Sequence, residues 1–365
     1  MLTRFDDYPI HQTPEPVAQP STGDRNFYDR YFFNGYTRSG DLFFAAALGL
    51  YPNRRVMDAA LSVVRDGRQH NVRASRLAPA ERSETRVGPI AVEVIEPLRA
   101  LRVRVEPNAH GLEADLVFRA RTPAIEEPRF TLRVDSRVHM DTTRLTQFGT
   151  WEGTITVDGT RIPVDATQVM GCRDRSWGIR PVGEREEGAP GGIQQFFWLW
   201  APINFDDVCM HFDVNESGDG RRWHFGGNLV RTIADQSEPV EVMTSVAHRV
   251  RWQSGTRRAT GAEITLTPHT GAPHVITLDP ILTFQMCGLG YLHPEWGHGR
   301  WKGADALGGE TWALADVDPM TPQNLHVQQL CRARMGTREG TGVLEQLVIG
   351  PHAPSGFRSF VDPAG

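Results

Sequence analysis

The sequence predicts an all-β protein built of two antiparallel, barrel-like units. Three observations carry that prediction. Asp-Gly-type dipeptides recur between strand-like segments, apolar and polar residues alternate with period two, and 36 glycines and 25 prolines break the chain too often for long helices. A chain of 365 residues is too long for one small barrel, which gives two.

Met1–Gly23 is polar and holds Pro14, Pro16 and Pro20, so residues 1–23 are expected to form an extended arm rather than a signal peptide. Val56–Val64 has apolar residues at both helical and strand periods, and Asp66-Gly67 close behind it favours a strand leading into a hairpin with Arg68–Ala74. Leu101–Val105 has one dry face. In Glu113–Arg119, Ala114, Leu116 and Phe118 share a face, with Val117 the exception on the other. Asp158-Gly159 separates Gly153–Val157 from Thr160–Val164, and Asp219-Gly220 follows Val208–Val214. Thr270-Gly271 sits between Ala262–Thr267 and His274–Leu278. A boundary within Pro181–Gly192 divides the chain into units of residues 24–185 and 186–365.

The net charge of -5, with Lys302 the only lysine and the arginines spread along the chain, excludes a basic groove for nucleic acid. Cys172, Cys209, Cys287 and Cys331 form no CxxC pair, which is too sparse for a disulfide scaffold and suits thiols in a reducing cytoplasm. The longest apolar run, Leu42–Tyr51, is too short to span a bilayer. The expectation is a soluble, cytoplasmic protein; its oligomeric state is not written in the sequence.

The densest chemistry lies in Arg173-Asp174-Arg175-Ser176-Trp177-Gly178-Ile179-Arg180-Pro181, between the strand-like segments Pro163–Met170 and Gln194–Ala201. One carboxylate, three guanidiniums and an indole can make a buried acid beside an aromatic wall. They can equally make an ion-pair knot at a sheet corner with Trp177 as a core plug, and such networks are the commoner arrangement.

The run Asp174-Arg175-Ser176-Trp177-Gly178 resembles the signature of the lipocalin-like double-barrel family that includes carotenoid 1,2-hydratases and lipocalin-type Diels–Alderases. The resemblance extends to Gly149-Thr150-Trp151-Glu152-Gly153, to Phe197-Trp198-Leu199-Trp200, and to the segment from Tyr291 to Trp301. It implies two tandem lipocalin-like barrels. Family members are chemically diverse, so fold carries over better than reaction.

Aromatics gather in Phe27–Tyr36, in Phe196–Trp200, and at Tyr291, Trp296 and Trp301. On a strand Trp198 and Trp200 face one way and Phe197 and Leu199 the other, which suits a barrel lumen holding a hydrophobic, terpene- or polyene-sized ligand. Ordinary barrel core accounts for any single one of them. Trp177, Trp198, Trp200, Tyr36 and Trp296 are the candidate ligand contacts. His293, Glu295 and His298 superficially resemble metal ligands, but Pro294 and Gly297 break any helix that would align them. His211 and Asp213, two apart on a strand, could add ligands. A turn packed by Trp296 and Trp301 explains the later segment equally well, and no metal or other cofactor is expected. Neither a Gly-x-Ser-x-Gly elbow nor a phosphate-cradling glycine loop is present. Gly288-Leu289-Gly290-Tyr291-Leu292-His293 lacks the third glycine and the βαβ setting of a dinucleotide site.

Two functions remain open. In the first, by resemblance to the hydratases, Asp174 protonates a C=C bond of a lipophilic substrate and Trp177, Trp198 and Trp200 stabilise the cation. Tyr291 or His293 positions water; the reverse reaction, isomerisation or cyclisation would use the same site. This needs a raised Asp174 pKa, which Arg173 and Arg175 would oppose if they pointed the same way. In the second, the same cavity belongs to a non-catalytic carrier of a lipophilic ligand.

Overall fold

The computed structural model describes residues 1–183, 195–232 and 239–365. These residues form two antiparallel sheets, of 14 and 10 strands, and helix is confined to short 3-10 turns. The expected all-β, two-barrel architecture is what the chain adopts. In the first sheet Phe27–Thr37 is central. On one side of it Phe43–Tyr51, Val56–Arg65 and Arg68–Leu77 follow as a meander; on the other lie Val169–Ile179, the long strand Arg137–Val157, Leu112–Ala120, Ala100–Val105 and Ile90–Glu96. In the second, Phe196–Trp200 lies between Val208–Glu216 and Arg338–Ile349, with His326–Met335 beyond. Each sheet curls on itself: Val56–Arg65 lies against Ile90–Glu96, and Arg222–Arg231 against Ser245–Trp252.

The hairpins form where the dipeptides place them. Asp66 and Gly67 have φ of 48° and 71°, and Asp158 and Gly159 have 48° and 79°, the paired positive values that a tight two-residue turn requires. Residues 1–23 hold one 3-10 turn, Arg4–Asp7, and Arg4 tethers the arm by donating to Glu81. The proposed boundary at 185/186 lies outside the described residues, as does Gln194. One late strand, Asp305–Ala313, pairs with Arg68–Leu77, so the first sheet also draws on the far end of the chain.

One local expectation is corrected. Arg173–Ile179 is not a corner between strands; it is the second half of the strand Val169–Ile179, paired on both edges. Its two arginines find partners on one face, and Asp174 turns to the other.

Alternation divides most of the apolar residues among three cores. Phe33, Phe44, Phe118 and Trp151 fill the first barrel, where Trp151 Nε1 donates to Asn34 O at 2.8 Å. Here Gly171 is obligatory, since a Cβ would lie 2.0 Å from Asn34 O. Phe197, Leu199, Phe212 and Leu344 fill the second barrel. The third core lies between the sheets and unites Phe32, Phe43 and Phe148 with Trp198, Trp200, Phe284 and Leu330. Both lumens are therefore packed with side chains, and room for a ligand lies elsewhere. All four cysteines are buried thiols, and no helix of the described residues is long and apolar enough to cross a membrane.

Candidate active site

The cavity opens between the two sheets, with a volume of about 600 Å³. The first sheet contributes Arg30, Phe32, Arg144, Asp174 and Ser176. The second contributes Trp198, Trp200, His326 and Glu345, and the segment from Gly290 to Arg300 borders it with Tyr291, His293 and His298. The register explains this set. Asp174 pairs with Phe32 on one side and Thr146 on the other, and Ser176 pairs with Arg30 and Arg144, so all six share one face.

Arg173 and Arg175 sit on the opposite face. Arg173 donates to Gln147 Oε1 at 2.9 Å, and Arg175 pairs with Asp29 and covers the Tyr31 ring. They do not hold Asp174, and the ion-pair knot read around it does not form. Among the described residues no hydrogen bond engages the Asp174 carboxyl, which is half-buried and borders the cavity. Burial pushes its pKa up to about 6; Arg144 pulls it down, Glu127 pushes it up and Arg30 pulls it down again.

Arg144 is tied to Glu127, donating from Nε at 2.6 Å. Burial works against the Glu127 carboxylate, but Arg144 and then His211 outweigh it and hold the group well below its ordinary pKa. The Arg144 guanidinium lies 4.8 Å from the Trp198 ring centre, 4.9 Å from that of Phe130 and 5.6 Å from that of Trp200. Across the cavity, Glu345 accepts from Trp198 Nε1 at 3.1 Å and Gln328 Nε2 at 2.6 Å, and lies 2.8 Å from His326 Nε2. Burial raises Glu345, but His326 and these donors bring it below its usual range. Tyr291 stands edge-on to the His298 and His326 rings at 4.3 and 4.6 Å, with Arg30 over its face at 4.5 Å.

The structure gathers Asp174, Tyr291, Trp198 and Trp200 at the cavity. His293 is at its edge, but its Nδ1 accepts from the backbone amides of Glu295 and Trp296, which organises the loop. Trp177 is a correction: two residues of alternation from Arg175 place it on the outer face, 39% exposed and away from the cavity. Tyr36 is buried in the inter-sheet core, where its hydroxyl donates to Thr341 O and accepts from Asn204, and it does not border the cavity. Trp296 packs against Gly308 beyond the wall. His298 has both ring nitrogens engaged, by Arg30 and by Leu289 O, which leaves it no lone pair for a metal alongside His293 and Glu295.

Sequence reasoning missed Arg30, Arg144, Glu127, His326 and Glu345. Arg30, Arg144, His326 and Glu345 are charged or polar residues buried or half-buried on strands, a signal present in the alternation but silent about which sheet faces which, and Glu127 lies just past the strand Ile125–Glu126.

Three solved structures share the fold. A Nitrosomonas europaea protein assigned as AttH superposes with a TM-score of 0.54 at 15% identity, over 93% of this chain and 98% of that one. Kievitone hydratase from Nectria haematococca gives 0.53 at 11%, over 87% and 88%. CghA with Sch210972 gives 0.52 at 11%, over 89% of each. The fold is thus the lipocalin-like double barrel that the signature residues imply. No curated protein matches the chain. With its match over residues 2–358, the chain belongs to the family of unknown function DUF8625.

Proposed function

We propose that this protein is an enzyme that adds water to, or removes it from, a C=C bond of a hydrophobic small molecule, with Asp174 as the proton donor. The observation that carries this reading is a carboxyl free of hydrogen bonds among the described residues at the wall of an aromatic cavity, where burial pushes its pKa up to about 6. No organic cofactor enters the scheme. In hydration the Asp174 O–H gives its proton to one alkene carbon, water bonds to the other, and the surplus proton of that water returns to the carboxylate. Dehydration runs the same steps backwards with the proton delivered to the departing hydroxyl. Isomerisation or cyclisation of a bound polyene or terpenoid skeleton would draw on the same donor.

The arginines narrow the substrate. Arg144 already covers faces of Trp198, Phe130 and Trp200, and Arg30 covers Tyr291. A free carbocation beside these guanidiniums would be repelled. A C=C bond conjugated to a carbonyl instead develops negative charge on oxygen when water adds to its far carbon before Asp174 delivers the proton to the near one, and the guanidiniums stabilise that charge. Kievitone hydratase, which shares the fold, is by name a hydratase; that likeness supports the reading only at the level of fold.

A carrier of the same ligand would have no use for a carboxyl of raised pKa. Small molecules carried through purification, identified by mass spectrometry, supply the substrate class, and Asp174→Asn then separates the two functions. Turnover should fall about 10²–10⁴-fold while ligand binding persists. Unchanged turnover in a folded, ligand-binding variant removes Asp174 from the chemistry.

A further inference from the structure

Away from the cavity, a second cluster bridges the sheets. Glu127 comes from the first, just after the strand Ile125–Glu126; His211 and Asp213 come from the strand Val208–Glu216 of the second. All three side chains are fully buried. His211 Nε2 lies 3.2 Å from Glu127 Oε1 and 3.5 Å from Asp213 Oδ1, and the three ligand atoms lie within 4.8 Å of one another. None of the three residues borders the cavity.

The outward atoms are all spoken for. Glu127 Oε2 accepts from Arg144, and the inward oxygen, Oε1, also accepts from Thr146 Oγ1 at 2.5 Å. Asp213 Oδ2 lies 2.6 Å from His224 Nε2, and His211 Nδ1 lies 3.1 Å from the Asn228 side-chain amide. The other two inward atoms are different: His211 Nε2 and Asp213 Oδ1 are buried without a hydrogen-bond partner. An engaged outer shell around converging atoms, two of them unengaged, is how ligands are held for a metal ion. The two distances also match the edge of a tetrahedron whose bonds are about 2.0–2.1 Å, which is about 3.3 Å. Opposite Asp213 stands Gly226, where a Cβ would lie 2.3 Å from Oδ1, so the backbone leaves that oxygen its place.

The geometry points to a structural site for a divalent transition ion of the zinc type, coordinated by Glu127 Oε1, His211 Nε2 and Asp213 Oδ1 and fastening one barrel to the other. Two carboxylates and an imidazole suit Zn²⁺ in donor type. The site requires the Asn228 amide to turn its oxygen toward His211 Nδ1–H, a rotation by half a turn that leaves the side chain in place. The competing arrangement is a proton on His211 Nε2, directed at the carboxylates in place of the ion.

Metal content and metal uptake of the purified full-length chain decide between them, independently of the reaction proposed for the cavity. Expected is about one equivalent of zinc by elemental analysis, or uptake of about one equivalent of Zn²⁺ or Co²⁺ after chelator treatment, with a Co²⁺ visible spectrum of low-coordinate type. Melting temperature should fall on chelation and recover with Zn²⁺. His211→Gln and Asp213→Asn should each lose that uptake. If either variant does not fold, the wild-type measurements stand alone. A wild-type chain that carries no metal and takes none up overturns the proposal, and so does full uptake in folded His211→Gln.

Discussion

Arg30 donates from Nη1 to Nδ1 of His298 at 2.8 Å, and this bond assigns the tautomer of a buried imidazole. Nδ1 is the acceptor, so Nε2 carries the proton and meets Leu289 O at 3.0 Å. Burial first, then Arg30 and Arg180, keep the pKa of His298 well below its ordinary value. The contact ties the central strand of the first sheet to the segment that edges the cavity.

This makes stability depend on pH in a defined direction. His298 stays neutral in the folded chain, whereas in the unfolded chain it takes a proton below its ordinary pKa of 6.5. Its contribution is therefore intact above that pH and declines as pH falls through it, by up to about 1.4 kcal/mol per pH unit. Asp58 and Asp174, raised to about 6 mainly by burial, act in the opposite sense: each favours the folded state as pH falls from about 6 toward 3.8. The difference between wild type and His298→Asn isolates the histidine. Melting curves between pH 7 and 5 should show the variant losing less than the wild type, and parallel curves would refute the assignment.

Asp174 must be protonated to act as an acid, so kcat/KM should fall tenfold per pH unit above about 6 once the substrate is known. The same residue carries a stability prediction. Above pH 6 the folded chain bears the cost of an ionised carboxyl, and Asp174→Asn removes it. The shift from 3.8 to about 6 bounds that cost at about 3 kcal/mol, and access to the cavity reduces it, so a gain of about 1 kcal/mol is expected at pH 7.5. Denaturant unfolding of the two proteins measures it. A loss of about 3–5 kcal/mol would instead restore the ion-pair role.

Much of the fold was legible because its signals are local. Asp66-Gly67 and Asp158-Gly159 fix their turns through backbone conformation alone, and Ala114, Leu116 and Phe118 need only alternation. Trp198 and Trp200 were likewise read onto one face. Which way that face points was not legible, because a strand between two packed layers has two dry sides. The same ambiguity put Trp177 at the site: as an aromatic next to Asp174 it looked like a wall, yet an odd separation of three puts it on the other face. Glu127 meets His211 only through pairing between sheets, which no local pattern encodes.

The two tryptophans should therefore behave oppositely. Trp177→Ala alters an exposed outer face and should leave ligand affinity unchanged and stability within about 0.5 kcal/mol. Trp198→Ala removes a buried wall, vacates the space beside Phe130 at 5.5 Å and strips a donor from Glu345. A cost of about 3–5 kcal/mol is expected. Equal losses in chemical denaturation would contradict the facing derived from the register.

Arg144 links the buried Glu127 to the cavity, and its removal should be felt at both ends. Arg144→Met keeps much of the aliphatic packing against Trp198 and Phe130 but leaves Glu127 without its guanidinium, a loss of about 3–5 kcal/mol for a buried pair. At the other end, Arg144 is the strongest of the influences that lower the Asp174 pKa against burial. Without it the acid form persists to higher pH, so the alkaline limb of the rate profile must move up from about 6 rather than down. Carbon-13 chemical shifts of the Asp174 carboxyl, followed through a pH titration, read this directly and need no substrate. A titration midpoint that stays in place or falls would show that Arg144 does not govern the acid.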